Sequence, residues 1–583
     1  MKSARPITLP ERDLPFRDFI ETLTRGAWSP PNHHNIKDKI LLLSAKGQLR
    51  FQHWFQAMVV AGVKPSMAGD IWSHGGCSLM GICFYGINDS WKMDEWLVAA
   101  TPFGSTRHTG EAIDEISAAA LRRQGVQWRE NGTVYEAVHA KVSDNASNMA
   151  KGWRGFDGGF CADHTLELSV HKYTGETTVA RTFSKCKGIV AYFHRSTAGI
   201  QDLTKIQESN GLPLKQPVSD VVTRWFSSYE MMDWFREQKT AVQMYDIKHG
   251  ADAAKNANGD AYKANRLQHI DWDIVEQSVA VLLPSAQATK HLEGTMYVTS
   301  SLVLPYVYRL IEGTADGMLY LPWKAQGSQW LRAEQLNPAV RAARRLLHDD
   351  LEARWLTGLP EDQRTELEIC TLLDPRFKTY EFPGITTDLS LEKRSALASL
   401  EGAWKADYKP NLAAAARAPA PAPAPVAPAP PKIAKTSTSS SIFAIPLAPP
   451  EEAAPPAAAP AAAAQLTDDL EKYLALPAET NFDLDVLAWW KARDHSMPAD
   501  PAKGQPEGCS PHLAKMARQF LGRPATSAGV ERMFSKAGKL HDDMTTRLST
   551  RCSLRPTASR AASVQPRLCR MWHVSSVSRV CTV

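Results

Sequence analysis

One stretch divides this chain more firmly than any other. Residues 411–460 contain 18 Ala and 13 Pro in 50 positions, and the alternating Ala-Pro run 418–425 favours extended polyproline conformations that bury nothing. No packed domain can be continuous through such a stretch, so the 583 residues read as a long N-terminal block and a short C-terminal one. Hydrophobic residues make up 44% of the whole, with 17 Trp, which is ample for a sizeable core on either side. No run of 18 apolar residues occurs, so a membrane-spanning helix is not expected, and Lys2, Arg5 and Glu11 leave no apolar core for a secretory signal. The nine cysteines form no Cys-x₂-Cys pair, and an odd number argues for reduced thiols rather than a disulfide framework.

The net charge of +5 belongs to one end. Residues 551–583 carry six Arg and no Lys, Asp or Glu, so the remainder holds 61 basic against 62 acidic side chains. Any binding of nucleic acid by the body must then use local patches rather than a global field.

Helical signals run to about residue 62. Asp70 sits near the end of a short strand candidate; Cys77–Ile87, apolar on both faces, suits a central strand. Trp91–Ala100 is a third strand, Thr109 caps a helix carrying Ile113, Ile116 and Ala120, and Val134–Val142 is a fourth strand ending at Asp144. Three strands, a helix and a strand are how a ribonuclease H-like mixed sheet begins. From about 165 to 406 the pattern is almost wholly helical, with apolar stripes at Leu282/Ala286/Thr289/Leu292 and Ala339/Val340/Ala343/Leu346/Leu347. Beyond the Ala/Pro stretch, Leu513, Met516, Ala517, Phe520 and Leu521 share one helical face, Gly522 and Pro524 end that helix, and Ser527 caps a further one carrying Val530, Met533, Phe534 and Ala537.

Several residues could carry chemistry. Asp70 and Asp144, on strands that can be neighbours, would place two carboxylates at one sheet edge, and two carboxylates with a third can hold hard divalent cations. Each could equally be an ordinary strand-end Asp. Glu531 is the candidate third, although a first-turn Glu complementing a helix dipole accounts for it as well. Cys161 and His164 have Cys-x₂-His spacing, but no second pair completes a four-ligand zinc site. Arg224-Trp225 could contact phosphate and stack on a base, with core packing as the plainer role for the Trp. No P-loop, GxGxxG or HExxH motif is present.

Six segments in this order resemble the hAT superfamily of cut-and-paste DNA transposases: Ala68–Ser73, Val142–Met149, Cys161–Leu168, Val222–Trp225, Leu372–Lys378 and Ala525–Gly538. The resemblance implies an α/β fold, a ribonuclease H-like catalytic domain interrupted by a large all-helical insertion. It divides the chain into an N-terminal helical region (1–62), the first part of the catalytic domain (63–200), the insertion (201–406), a disordered Ala/Pro linker (407–465), a C-terminal dimerisation region that completes the catalytic domain (466–548), and a basic, disordered tail (549–583). It further implies that Asp70, Asp144 and Glu531 are catalytic and hold Mg²⁺ or Mn²⁺, and that Trp225, with Arg224, lies at a DNA hairpin. Cys161 and His164 would lie near DNA. The partners would be DNA and a second copy of the chain, with no membrane, and the location the nucleus. Families of this kind carry a BED-type zinc finger, whose Cys/Cys/His/His set is not found here, and an apolar closing helix is expected where the sequence after Leu548 turns Arg/Ser/Cys-rich. Three readings follow: a DNA-cleaving transposase, a catalytically silent DNA-binding and dimerising protein, or a decaying element copy.

Overall fold

A computed structural model describes residues 33–535 apart from 75–76, 128, 131–132, 135–136, 156–157, 221–224, 250–261, 263, 326–328, 410–441, 448–467, 496–505 and 507. It is a mixed α/β structure, mostly helical, around one five-stranded sheet. The strands are β1 (Ser66–His74), β2 (Cys77–Ile87), β3 (Met93–Pro102), β4 (Lys141–Ser143) and β5 (Gly158–Phe160), lying side by side in the order β3-β2-β1-β4-β5. β1, β2 and β3 form an antiparallel meander, whereas β4 runs parallel to β1 and β5 parallel to β4.

β2 is apolar on both faces because both are covered. Met80, Ile82 and Phe84 pack on one side with Phe51 and Phe55 of helix His33–Val60 and with Ile113 and Leu121 of helix Gly110–Arg123. Leu79, Cys83 and Tyr85 face the other way, toward Val530 and Phe534 of helix 528–535. Thr109 caps helix Gly110–Arg123 as expected, accepting the Ala112 N–H at 3.2 Å. The fourth strand is a correction: Val134–Val142 is not one strand. Thr133–Val134 pairs with Arg129–Glu130 in a separate two-residue ladder, and only Lys141–Ser143 joins the sheet. The three-residue β5 has Gly158 and Gly159 in it and offers no strand signature.

An almost wholly helical stretch begins directly after β5, at Ala162, and builds one continuous core that runs through Ala525. The Leu282/Ala286/Thr289/Leu292 stripe is buried as expected. In the second stripe Val340, Ala343 and Leu347 are buried, but Leu346 is 45% exposed, one position round the helix from the seam.

The C-terminal block does not stand apart. Helix Pro511–Leu521, capped by Ser510, buries Leu513, Met516, Ala517 and Phe520 inside the same chain. The indole N–H of buried Trp490 donates to the Leu373 carbonyl at 3.0 Å, its ring stacks on Trp91 (6.1 Å between centroids, 5° between planes), and Tyr473 donates to Leu372 at 2.9 Å. The Leu372–Lys378 segment serves this joint: fully buried Asp374 receives Arg376 through two nitrogens at 2.9 and 2.6 Å and the Ser301 hydroxyl at 2.6 Å, while Arg376 also donates to the Phe482 carbonyl. The two flanks of the Ala/Pro stretch meet: Lys409 pairs with Asp468 at 2.6 Å and Trp404 donates to the same carboxylate at 2.9 Å. The expected linker is therefore an excursion that leaves and returns at one point. One part of it, 442–447, is docked on the helical core, with Ile442 fully buried. The expectation of disorder over 407–465 is corrected at 442–447 and at 407–409; the tail 549–583 lies outside the described residues.

Candidate functional site

Parallel pairing decides where the two aspartates go. Gly69 of β1 is the register partner of Ser143 of β4, so Asp70 and Asp144 each stand one residue further along neighbouring strands. Such strands lie about 4.8 Å apart. Ser143 is in turn partnered by Phe160 of β5, which puts Cys161 next in the same row. Alternation along a strand then sets the face. Ala68 and Val142 belong to the cluster that contains Val530 and Phe534, so Asp70 and Asp144, two residues on, lie on the side covered by helix 528–535.

Two glycines allow that helix to seat. Gly81 is the register partner of Asp70 on β2, and a Cβ there would meet Val530 at 2.5 Å and Phe534 at 2.8 Å. A Cβ on Gly529 would lie 1.9 Å from Glu95 Oε1 and 2.1 Å from Tyr85 Oη. Backbone contacts hold the approach to the helix: Ala162 N–H donates to the Ala525 carbonyl at 3.0 Å, and Ser527 N–H to Cys161 Sγ at 3.4 Å. Arg532 Nη1 donates to the Glu293 carbonyl at 2.9 Å, and Phe534 stacks on Trp72 of β1 (6.1 Å, 14°). Glu531, on the first turn, receives the Ser527 hydroxyl at 3.4 Å.

The electrostatics follow from this convergence. Asp70 is half-buried, and its carboxyl is pushed up to about 7 by burial first, then by the negative charges of Glu531 and Asp144; the Ile71 N–H, donating at 2.7 Å, and His164 oppose the rise. Burial also raises Asp144, against the pull of the Ala146 N–H and His164. His164 is held above its ordinary range, chiefly by its contact with Glu167 at 3.6 Å and further by Asp144 and Asp70. Cys161 is a fully buried free thiol; burial, Asp163 and Glu531 raise it, so it is no thiolate at neutral pH. Trp225 opens helix Trp225–Glu237 with its ring buried in the helical core, and its backbone N–H donates to Glu167 at 3.4 Å. Arg224 lies outside the described residues.

Asp163 is a member that sequence reasoning passed over. Its Oδ1 is buried and accepts no hydrogen bond from the described residues, and burial together with Glu293, Glu531 and Glu167 drives its carboxyl well above the ordinary range. Its signal was its place between Cys161 and His164; Glu293, arriving from the end of helix His269–Leu292, had none. The donor set of Asp70, Asp144 and Glu531 is all oxygen, the chemistry that hard divalent cations prefer. As the side chains lie, however, no group of three or more His, Cys, Asp or Glu among the described residues is gathered so that it could hold a metal ion. No helix among the described residues is long and apolar enough to cross a membrane.

Comparison with known proteins falls on the two helical parts of this architecture. The family model of the hAT C-terminal dimerisation region matches residues 469–553, and that of the ZBED1 RNase-like helical domain matches 159–272. The human zinc finger BED domain-containing protein 4 is 23% identical over 151 residues, which is 26% of this chain and only 12% of that protein's length. The first match starts where the Ala/Pro excursion closes, and the second at β5, where the helical stretch begins. The chain thus carries a hAT dimerisation region and a ZBED-type helical domain, as is consistent with a protein of hAT type, derived from a transposase.

Proposed function

We propose that this is a nuclear, DNA-binding, dimerising protein whose Asp70, Asp144 and Glu531 form a Mg²⁺- or Mn²⁺-dependent site for DNA strand cleavage and transfer. The observation that carries the proposal is the placement of Asp70 and Asp144 in register on neighbouring parallel strands, on the sheet face covered by the helix that carries Glu531, 387 positions after Asp144. The strand order and directions support reading that sheet as ribonuclease H-like, with the all-helical insertion between the second and third carboxylates. A bound cation pair would supply activation of the attacking oxygen and stabilisation of charge at phosphorus. The protein's own part is to hold two carboxylates in fixed register, to bring Glu531 over them on a helix clamped by Trp72 and Glu293, and to favour the protonated form of His164, through Glu167, beside an incoming phosphate. Closing the three carboxylates on a cation requires these side chains to move from the positions they hold.

A second reading is a DNA-associated dimer that does not cleave. A nicking assay on supercoiled plasmid with Mn²⁺ separates the two. Metal-dependent nicking reduced by about 100-fold or more in Glu531→Gln supports cleavage, since groups acting as a unit fail singly. Nicking unaffected by that change removes the catalytic assignment. Nicking at the background rate in both leaves the silent reading.

A further inference from the structure

The docked segment 442–447 lies in a groove built from separate parts of the chain. Phe443 packs on Tyr306 of helix Val303–Thr314 (5.4 Å between ring centroids), on Phe377 (5.8 Å) and on Phe482 (5.2 Å). Ile442 is fully buried beside it. Arg309, itself 3% exposed, donates to the Pro383 carbonyl at 3.1 Å and to the carbonyl of Ile445. Its guanidinium passes where a Cβ on Gly384 would lie 1.9 Å from Nη1, and Gly384 has φ +74°. The flanking sequences 410–441 and 448–467 are dominated by Ala and Pro, with little apolar side-chain bulk.

From this arrangement we propose that the groove between Tyr306, Phe377 and Phe482 is a docking site for a short apolar–aromatic peptide. Its resident occupant is 442–447 of the same chain, held reversibly at the middle of the Ala/Pro excursion. The chemistry of recognition is an aliphatic residue followed by an aromatic one, with a main-chain carbonyl three residues after the first presented to a buried guanidinium. Because Phe377 and Phe482 come from either side of the excursion, occupancy also ties the helical body to the dimerisation region. The proposal does not depend on catalysis.

The test uses the full chain and a fluorescent peptide of residues 440–449, followed by anisotropy. A tethered segment competes at an effective concentration in the millimolar range. The unaltered protein is therefore expected to bind the peptide at least about 10-fold more weakly than Phe443→Ser, in which the resident segment is disabled. Adding Arg309→Met to Phe443→Ser should weaken binding again. In hydrogen exchange on the unaltered chain, amides of 442–447 should exchange much faster than those of helix Val303–Thr314. Absence of peptide binding by folded Phe443→Ser overturns the proposal. So does unfolding of that variant, or exchange at 442–447 as slow as in the helix, since either makes the segment ordinary core. Docking that appears only as concentration-dependent association of two chains overturns the intramolecular occupant.

Discussion

Asp70 stands where two strands and a helix bring like charges together, and folding has a cost there that depends on pH. Its carboxyl rises from 3.8 to about 7 in the folded chain. Between those values the native state keeps a proton that the unfolded chain has lost, so this group's stabilising contribution is full below about pH 4 and lost as pH rises through 7. Asp70→Asn should accordingly be more stable than the parent at pH 8, by on the order of 2 kcal/mol, and equal to it near pH 3.5. Urea unfolding at the two pH values checks this; a parent that gains stability relative to the variant from pH 3.5 to pH 8 would have the opposite sign. The Asp374–Arg376 clasp makes a second residue-scale prediction. Both side chains are buried and joined to Ser301 and Phe482, so Arg376→Ala strands a charge and should cost about 3–5 kcal/mol, read as a shifted denaturation midpoint. The motif containing them was visible in the sequence, but its use as a joint was not. Nothing local shows that Phe482 lies 106 positions away at the other end of Arg376.

At the scale of elements, strand and helix signals were legible where a single period governs a whole segment. Cys77–Ile87 and the Thr109 cap lie where the pattern puts them, because both faces of that strand are covered and the cap is a local hydrogen bond. Val134–Val142 failed since parallel pairing used only two of its residues, Lys141 and Val142. Gly81 and Gly529 gave no signal, yet they seat the helix that carries Glu531. Gly529→Ala would push a methyl onto Glu95 and Tyr85, and overpacking of this kind costs about 1–3 kcal/mol. The expected outcome is a lower thermal midpoint together with a fall of the Asp70 carboxyl toward its ordinary value, as Glu531 is displaced. A midpoint unchanged within error would mean that the helix is not held as described.

For the whole molecule, the consequence is that the dimerisation region is also part of the fold. Leu513, Met516 and Phe520 are spent inside the chain, so the surface that joins two copies must be a different one. Removing 511–583 should leave no cooperative unfolding transition, because the apolar face of one helix and the Cys370–Phe520 contact go with it. Association with duplex DNA should be modest and should fall steeply with salt, since the body is near neutral and phosphate contacts release counterions. The ordered motifs made the hAT resemblance legible in the sequence, and with it the dimerisation region and the helical domain that the family models match. They could not show that the Ala/Pro stretch closes on itself through Lys409 and Asp468, because that contact depends on chain ends meeting in space. On the proposed function, Asp70, Asp144 and Glu531 act as one site. Calorimetric titration of the purified chain with Mn²⁺ tests it without requiring catalysis. Saturable binding is expected, weakened at least about 10-fold in each of Asp70→Asn, Asp144→Asn and Glu531→Gln, as for ligands shared by one cation site. Binding by Glu531→Gln as tight as by the parent, or none by the parent itself, would contradict it.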